Sequence, residues 1–304
     1  MRTIAVSGAD PRTAGTGRCV TAAMLGGLVK VTTWNVNGVR AREAQVFDWL
    51  RREKPDVLCL QEIKASPHQV PASLLEPEGY WTYWHGEGGY SGVALLVSKA
   101  LCPVRPAISH PGFDMESRIC VVALGELEVA SIYVPNGGKD FQAKVRFLEA
   151  LVQFAAQRHG AGKKLMLCGD FNVAHTERDV HEKLRDPQLT GQTSGERAYL
   201  DRLLGTGLTD LGRKFAPGDD QLFTWWAPWR QCREKNIGWR LDLVLTSSEV
   251  TMRARSCTAM REFGTSDHGP VTAVFEGPLF DPTKLEAGNE PPARKSNAPQ
   301  LDLF

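Results

Sequence analysis

The sequence predicts a domain of the α/β or α+β class in which many strands form layered sheets, and two observations lead to that class. Short apolar runs bounded by turn residues recur along the chain, as strands do. Between some of these runs lie segments with the 3.6-residue period of an amphipathic helix. Layered sheets are the natural way to bury so many apolar runs, although the runs do not by themselves give the order of the strands.

The individual elements follow from these two patterns. Eight apolar runs are predicted as strands: Lys30–Trp34, Asp56–Leu60, Gly92–Val97, Ile119–Ala123, Glu128–Tyr133, Lys164–Cys168, Leu241–Thr246 and Val271–Phe275. Three segments with helical periodicity are predicted as helices: Glu43–Glu53, Phe141–Arg158 and Gly195–Leu204. The chain shows no internal repeat of fixed period, so a repeat architecture is not expected.

The composition supports a large buried core and excludes several classes of protein. The chain has 304 residues, of which 42% are apolar and 23% charged, enough for one large domain or two small ones. No run approaches the roughly 18 apolar residues of a membrane span. The net charge is only +1, so contact with nucleic acid requires a local basic surface. Seven cysteines without CxxC spacing indicate reduced thiols in a cytoplasmic protein.

Composition also divides the chain into three parts. Residues 1–28 are rich in Gly, Ala and Thr without a clear period, so we expect a disordered extension, with a targeting segment as the less favoured alternative. Residues 29–276 contain all the predicted strands and helices and form the expected folded domain. Residues 277–304 are rich in Pro, Lys, Asn and Glu, which predicts a flexible tail.

Polar side chains stand where several of the predicted strands begin or end. Strand ends gather at one rim of a sheet, so we expect these side chains to converge from distant parts of the sequence: Asn37, Glu62, Asp170, Asn172, Asp242, Asp267 and His268. A single Asp-x-Asn is more often a turn or a helix cap, but five such elements in one chain make coincidence a poor explanation. The set is rich in oxygen donors, which favours Mg²⁺ or Mn²⁺ over zinc.

Six motifs around these residues carry a family resemblance. They are WNVNG, LQE, YVPNGG (Tyr133–Gly138), GDFNVAH (Gly169–His175), GWRLD (Gly238–Asp242) and SDHGP. Their order resembles that of the exonuclease III type of apurinic/apyrimidinic DNA endonuclease, over roughly Val29–Glu276. The resemblance implies an α/β, deoxyribonuclease I-like catalytic domain, a four-layer sandwich of two packed mixed β-sheets flanked by helices. It also implies incision 5′ to abasic sites, with 3′-phosphodiesterase and 3′→5′ exonuclease activity, in base excision repair.

The same resemblance implies roles for the metal ligands and the nucleophile. Glu62, helped by Asn37 and Asp267, would hold Mg²⁺, or alternatively Mn²⁺, against the scissile phosphate. Asp170 would take the proton of the attacking water as general base. Asn172 lies two residues further on and would orient that water.

Further roles concern the phosphate and the DNA backbone. Asp242 and His268 would form a hydrogen-bonded pair in which the carboxylate favours a charged or a correctly oriented imidazole directed at the phosphate. By resemblance, Tyr133 also contacts the phosphate. Asn136 and Lys139, on the loop that follows, would face the DNA backbone.

An aromatic segment narrows the predicted substrate. By resemblance, Trp225, Trp239 and Leu241 line a pocket for a flipped-out sugar that has lost its base, which a flat apolar wall can select. The alternative is that these tryptophans are ordinary core residues. Four cations in the same segment, Arg230, Arg233, Lys235 and Arg240, favour the pocket because a buried aromatic cluster is a poor environment for charge.

The chain terminates in a short apolar peptide after the polar tail. Its residues are Gln300, Leu301, Asp302, Leu303 and Phe304. They resemble the peptide by which bacterial DNA enzymes dock to the replication sliding clamp. The clamp is therefore an expected partner, in addition to double-stranded DNA with abasic sites or 3′ ends.

The leading prediction is thus a bacterial repair nuclease that is monomeric and associated with the nucleoid. Two other functions stay open. One is a related phosphoesterase acting on RNA or a phospholipid, against which the tryptophan pocket and the terminal peptide argue. The other is a catalytically weak DNA-binding or clamp-binding adaptor. Since competent residues occupy every expected ligand position, the adaptor is disfavoured.

Overall fold

The computed structural model describes residues 27–288, which form fourteen strands and six α-helices. The strands are β1 (Leu28–Asn35), β2 (Val57–Gln61), β3 (Tyr80–His85), β4 (Val93–Ser98), β5 (Ala107–Ser109), β6 (Ile119–Leu124), β7 (Leu127–Tyr133), β8 (Lys164–Asp170), β9 (Leu208–Asp210), β10 (Trp225–Trp226), β11 (Gly238–Trp239), β12 (Asp242–Ser247), β13 (Ala254–Ala259) and β14 (Val271–Glu276). The helices are α1 (Glu43–Glu53), α2 (Ala72–Leu75), α3 (Phe141–Gly160), α4 (Ser194–Gly205), α5 (Leu211–Phe215) and α6 (Ser248–Thr251). All eight predicted strands and all three predicted helices are present.

The strands form two six-stranded sheets with matching designs. The first sheet has the order β13-β14-β1-β2-β4-β3 and the second β5-β6-β7-β8-β12-β9. Each sheet is mixed, because one central pair is parallel, β1 with β2 and β7 with β8, while the other neighbours are antiparallel. A separate two-stranded ribbon joins β10 to β11.

The apolar side chains divide into layers that explain this design. One buried cluster contains residues of both sheets, including Cys59 and Leu95 on one side and Val129 and Cys168 on the other, so the sheets pack face to face. A second cluster packs α3 and α4 on the outer face of the second sheet. A third packs α1 on the outer face of the first. The predicted four-layer sandwich is therefore confirmed.

The folded part extends past the boundary predicted at Glu276. Leu279 and Phe280 are buried in the cluster between the sheets, and the backbone N–H of Gly288 donates to the carbonyl of Arg105 at 2.8 Å. The prediction of a flexible tail from Gly277 is therefore wrong for residues 277–288, because two large apolar side chains interrupt the polar run. The terminal peptide 300–304 and the expected extension, apart from residues 27 and 28, lie outside the described residues.

The length and hydrophobicity of the described helices can be compared with those of a membrane-spanning helix. None of those within residues 27–288 combines the length and the apolar character that a bilayer crossing requires.

Candidate active site

Two neighbouring strands of the second sheet bring carboxylates together at one end. β8 ends at Asp170 and β12 begins at Asp242, and the register of the antiparallel pair places these two residues opposite each other. A Cβ at Gly169 would overlap the carbonyl oxygen of Ile132 on β7. The glycine of the GDFN motif therefore lets β8 lie close against β7 just before Asp170.

The two aspartates and a histidine form what we call the buried cluster: Asp170, Asp242 and His268. His268 Nδ1 lies 2.8 Å from Asp242 Oδ2, and its Nε2 lies 3.7 Å from Asp170 Oδ2. Burial alone would lower the pKa of His268, but the charges of Asp242 and Asp170 raise it to about 10. The ring is therefore an imidazolium cation held between two carboxyl groups.

For the pKa of Asp170, the effect of burial prevails over that of the neighbouring charge. Burial raises the pKa of Asp170 to about 7, although the His268 cation opposes that shift. Its two oxygens are oriented separately, because Oδ1 accepts from the backbone N–H of Asn172 at 2.9 Å and Oδ2 accepts from Asn35 Nδ2 at 3.0 Å. A carboxyl group with a pKa near neutrality can both accept and return a proton at physiological pH.

A second group, the rim cluster, lies at the end of the first sheet and consists of Asn37, Glu62 and Asp267. Asn37 Nδ2 donates to Asp267 Oδ1 at 2.8 Å, and Glu62 Oε1 accepts from the Tyr133 hydroxyl at 2.9 Å. Lys64 Nζ lies 2.6 Å from Asn37 Oδ1 and 3.5 Å from Glu62 Oε1. Two oxygens of the cluster therefore converge on one cationic centre.

Positive backbone φ angles orient three polar side chains of the site. Asn37, Glu62 and Asn172 all have positive φ, at 45°, 52° and 51°. This conformation is uncommon outside glycine and strained for glutamate, and such residues are concentrated at functional sites. Each lies one or two residues beyond the end of its strand, so the turn redirects a polar side chain towards the same end of the sandwich.

The rim cluster fits a hard divalent ion. It offers carboxylate and amide oxygens, the ligands that Mg²⁺ and Mn²⁺ prefer, and the Lys64 ammonium shows that these oxygens already face a positive charge. Burial opposes ionisation of Asp267, yet the charge of His268 and hydrogen bonds from Asn37 and Trp225 hold its pKa below the usual range. The ligand atoms of the buried cluster also lie within 4.8 Å of one another, but there the imidazolium occupies the space as a cation.

The predicted pocket residues come together beside the rim. Trp225 pairs with Trp239 across the β10–β11 ribbon, and their rings are 5.7 Å apart at 75°. Leu241 is buried with Ala174 and Val180, and both tryptophans pack against this group. Because the tryptophans are only half-buried, they form an apolar wall open on one side.

Comparisons with known proteins identify the family of the chain. The chain matches the Endonuclease/Exonuclease/phosphatase family over residues 32–268. The chain belongs to this family. The chain is 34% identical over 252 residues to the protein named DNA repair nuclease APEX1 of Danio rerio, covering 80% of this chain and 81% of that protein. It is 31% identical over 269 residues to exodeoxyribonuclease III of Haemophilus influenzae, covering 82% of this chain and all of that protein.

Solved structures of this family share the fold. A 3′-5′ exonuclease (NExo) from Neisseria meningitidis superposes with a TM-score of 0.74 at 30% identity, covering 82% of this chain and 100% of that chain. An AP endonuclease from Archaeoglobus fulgidus gives 0.73 at 28% identity, with 81% and 99% covered. The two mixed sheets flanked by helices are therefore the fold of this endonuclease/exonuclease/phosphatase member.

The cations of the aromatic segment do not all have the role expected for them. Arg240 is buried and pairs with Asp179 at 2.6 Å and with Asp210 at 2.7 Å. Arg233 donates to three backbone carbonyls, of Arg261, Phe263 and Ser266. The argument that cations favour a pocket over an ordinary core is therefore wrong for these two arginines, because internal carboxylates bind Arg240 and backbone carbonyls bind Arg233.

The loop after β7 carries the two residues expected to face DNA. Asn136 and Lys139 are both exposed, and Lys139 Nζ lies 5.3 Å from the ring centre of Tyr90. Their exposure leaves them accessible to a polyanion, and a contact with the DNA backbone stays a proposal.

Three further residues of the site are not recovered by sequence reasoning. Asn35 orients Asp170, as described above. Arg118 is 2% exposed and its guanidinium lies 4.6 Å from the Tyr133 ring centre, which holds that ring in place. Lys144 is fully buried and donates to the carbonyl of Asn172 at 2.7 Å. One signal was available, since Lys144 lies on the apolar face of α3 with Phe147, Leu148 and Leu151.

Proposed function

We propose that this chain is a divalent-metal-dependent DNA repair nuclease that hydrolyses the phosphodiester 5′ to abasic sites, with 3′-phosphodiesterase and 3′→5′ exonuclease activity, in base excision repair. The observation that carries the proposal is that Trp225 of the tryptophan wall pairs with His268 of the buried cluster through the backbone, because this joins phosphoester chemistry to recognition of a small apolar sugar. The relatives' names support it, as does a Neisseria 3′ phosphatase solved bound to a product DNA hairpin, at 30% identity and a TM-score of 0.73.

The rim cluster is proposed to hold the metal, with Mg²⁺ as the expected ion and Mn²⁺ as a substitute. When bound, such an ion polarises the scissile phosphate and neutralises developing charge. Glu62 would be the principal ligand, and Asn37 and Asp267 would be the other protein ligands. Tyr133 keeps its proton, because burial and the neighbouring carboxylates of Glu62 and Asp170 hold its pKa well above the usual range. It can therefore donate a hydrogen bond to a phosphate oxygen.

Asp170 is proposed as the general base. Its carboxylate would accept the proton of the attacking water, and its pKa of about 7 leaves a large fraction ionised at neutral pH. Asn172 is held against Asp170 by its backbone N–H and anchored through Nδ2 to the carbonyl of Val134 at 2.8 Å. An amide fixed in this way can orient the same water molecule.

The Asp242–His268 pair is proposed to stabilise the phosphate. The imidazolium lies at the floor of the site, and Asp242 fixes its orientation through the 2.8 Å hydrogen bond to Nδ1. A fixed cation in a buried place needs little reorganisation when negative charge develops in the transition state. The pair thus contributes electrostatic stabilisation of the pentacoordinate phosphorus.

The decisive experiment compares substrates under one set of conditions. The full chain is incubated with a duplex carrying one tetrahydrofuran abasic analogue, with an undamaged duplex bearing a 3′ end, and with a single-stranded RNA, each with Mg²⁺ and with EDTA. We expect metal-dependent cleavage 5′ to the analogue at the highest rate. Faster hydrolysis of the RNA would favour the related phosphoesterase, and binding without cleavage of any substrate would favour the adaptor.

The pocket role is tested by a matched pair of tryptophan variants. Trp239→Ala should reduce the preference for the abasic duplex over the undamaged duplex by about tenfold, as expected for losing one wall of an apolar pocket. Trp229 is 60% exposed in the same segment, so Trp229→Ala is the control and should leave that ratio unchanged. Equal loss of affinity for both duplexes in Trp239→Ala would mean that this tryptophan is structural.

The terminal peptide is proposed to dock on a bacterial sliding clamp. Leu301, Leu303 and Phe304 would bury apolar surface in a groove of the partner, while Gln300 supplies directional hydrogen bonds. Deleting residues 300–304 should leave cleavage of short oligonucleotides unchanged and abolish the heat of titration with the clamp. Equal heats from both proteins would leave the peptide without this partner. A monomer acting in the cytoplasm at the nucleoid is the setting consistent with these proposals.

A further inference from the structure

A second histidine–carboxylate group lies away from the active site, where the edges of the two sheets meet. We call it the edge cluster, and it consists of His85, His110 and Asp114. His85 ends β3, the edge strand of the first sheet, and His110 follows β5, the edge strand of the second. One potential ligand atom from each of the three residues lies within 4.8 Å of the other two. None of the three belongs to the six family motifs.

The contacts inside the edge cluster are close. His85 Nε2 lies 2.5 Å from Asp114 Oδ2, and the rings of His85 and His110 stack with centres 3.9 Å apart and planes at 29°. The side chains of His85 and Asp114 are 22% and 13% exposed, and His110 is exposed. An ion from solution can therefore reach all three.

The surroundings orient these groups as metal ligands are usually oriented. Asp114 Oδ1 accepts from the backbone N–H groups of Arg118 at 2.8 Å and Ile119 at 3.1 Å, which leaves Oδ2 to face the histidines. His110 Nδ1 lies 3.4 Å from the carbonyl of Ile119, which places the ring's N–H on Nδ1 and the lone pair on Nε2. Metal-bound histidines commonly donate their second nitrogen to a backbone carbonyl in this way. Although His110 is exposed overall, partial desolvation of its ring and the neighbouring His85 lower the pKa of His110.

We propose that His85, His110 and Asp114 bind one Zn²⁺ ion that links the edges of the two sheets. Two imidazoles and one carboxylate form a donor set that suits zinc and similar first-row ions, whereas the oxygen-rich rim cluster suits Mg²⁺. On binding, the ion would take the place of the hydrogen bond between His85 Nε2 and Asp114 Oδ2, the proton of that bond would be released to solvent, and the fourth position of the ion is left for water. The segment that follows Asp114 carries Arg118, so Asp114 and the Tyr133 ring both contact this arginine.

Zinc titration of the full chain tests the proposal, with Mg²⁺ in excess to occupy oxygen sites. The double variant His85→Asn/His110→Asn should bind one zinc ion fewer than the unaltered chain. His175 is the matched control, because it pairs with Asp201 at 2.8 Å but belongs to no such group of three in residues 27–288. His175→Asn should bind as many ions as the unaltered chain. Equal stoichiometry in all three proteins, or the same loss in His175→Asn, would overturn the proposal.

A spectroscopic measurement does not depend on the variants folding. X-ray absorption of the unaltered chain loaded with one equivalent of Zn²⁺ should show nitrogen and oxygen ligands at about 2.0–2.2 Å, with the multiple-scattering pattern of two imidazoles. A ligand shell containing sulfur at about 2.3 Å would place the ion on a cysteine instead and contradict the assignment. An all-oxygen shell would contradict it equally.

Discussion

The buried cluster and the edge cluster use the same side chains in opposite proportions. Each contains a histidine within hydrogen-bond distance of an aspartate, at 2.8 Å for His268 with Asp242 and 2.5 Å for His85 with Asp114. The third member differs, because it is a second carboxyl group in the buried cluster and a second imidazole in the edge cluster. Burial differs as well, since all three members of the buried cluster are buried and the edge cluster is partly open to solvent.

This difference decides which cation each cluster stabilises. Two carboxyl groups around one imidazole raise the pKa of His268 to about 10, so the buried cluster retains a proton. In the edge cluster, partial burial of the His110 ring and the second imidazole lower the pKa of His110, so protonation of this ring is disfavoured. A histidine–aspartate hydrogen bond alone therefore does not distinguish a catalytic pair from a metal site, and the third residue does.

The largest expected effect is on the rate of abasic-site cleavage, which should depend on the buried cluster and not on the edge cluster. Asp170→Asn should lower the rate of abasic-site cleavage by about 10²–10⁴, because the amide cannot accept the water proton. Asp114→Asn is the matched change in the edge cluster and retains an oxygen to accept from the backbone of Arg118 and Ile119. Its rate should stay within about threefold of the unaltered chain, as expected for a change that touches no reacting group. Single-turnover kinetics measure both, and near-normal cleavage by Asp170→Asn would remove its assignment as base.

The buried ion pair of Lys144 with Glu196 should have a large effect on the free energy of unfolding. Lys144 Nζ pairs with Glu196 at 2.5 Å with both side chains buried, so Lys144→Met leaves the Glu196 carboxylate inside the protein without its counter-charge, although the hydrogen bonds from Gly191 and Thr193 remain. We expect a loss of about 3–5 kcal/mol in the free energy of unfolding. Lys214 is exposed, and Lys214→Met serves as the control with little change. Urea denaturation provides the comparison, and equal midpoints for the two variants would show that the buried pair is not needed.

The pH dependence of activity sharpens the assignment within the buried cluster. If Asp170 acts as base with a pKa of about 7, kcat/KM should rise about tenfold per pH unit below that value and level off above it. The sign follows because the base must be ionised, and the ionised fraction grows as pH rises. Asp114→Asn should show the same profile as the unaltered chain. A profile already flat at pH 6 would show that Asp170 is not the titrating base.

The sequence predicted the core elements of the fold well because they are long and fully buried. The missed strand β3 consists of two aromatic pairs, each followed by one polar residue, and is mostly half-buried at an edge, and β13 has mostly exposed or half-buried positions. In both, pairing with a neighbouring strand supplies what the hydrophobic pattern does not. Order within the sheets was likewise out of reach, since it depends on contacts between residues far apart in sequence.

In the candidate site, too, contacts between side chains far apart in sequence could not be predicted. The motifs located Asp170, Asp242 and His268 because they lie at or near strand ends. Arg233 and the edge cluster show what motifs miss, since the backbone carbonyls that bind Arg233 and the pairing of His85 with Asp114 are set by folding. Charge in the sequence identifies a residue that needs a partner, and only the fold shows which partner it has.

The smallest expected effect concerns the edge cluster without metal and the stability of the protein at mildly acidic pH. The folded state lowers the pKa of His110, whereas in the unfolded chain the ring titrates near its ordinary value of about 6.5. As pH falls through that value the unfolded chain takes up the proton more readily, so acidification favours unfolding. His110→Asn removes this contribution, and its melting temperature should fall less between pH 7.5 and 5.5 than that of the unaltered chain, both in EDTA. An equal or larger fall in the variant would mean that His110 is not held neutral by the fold.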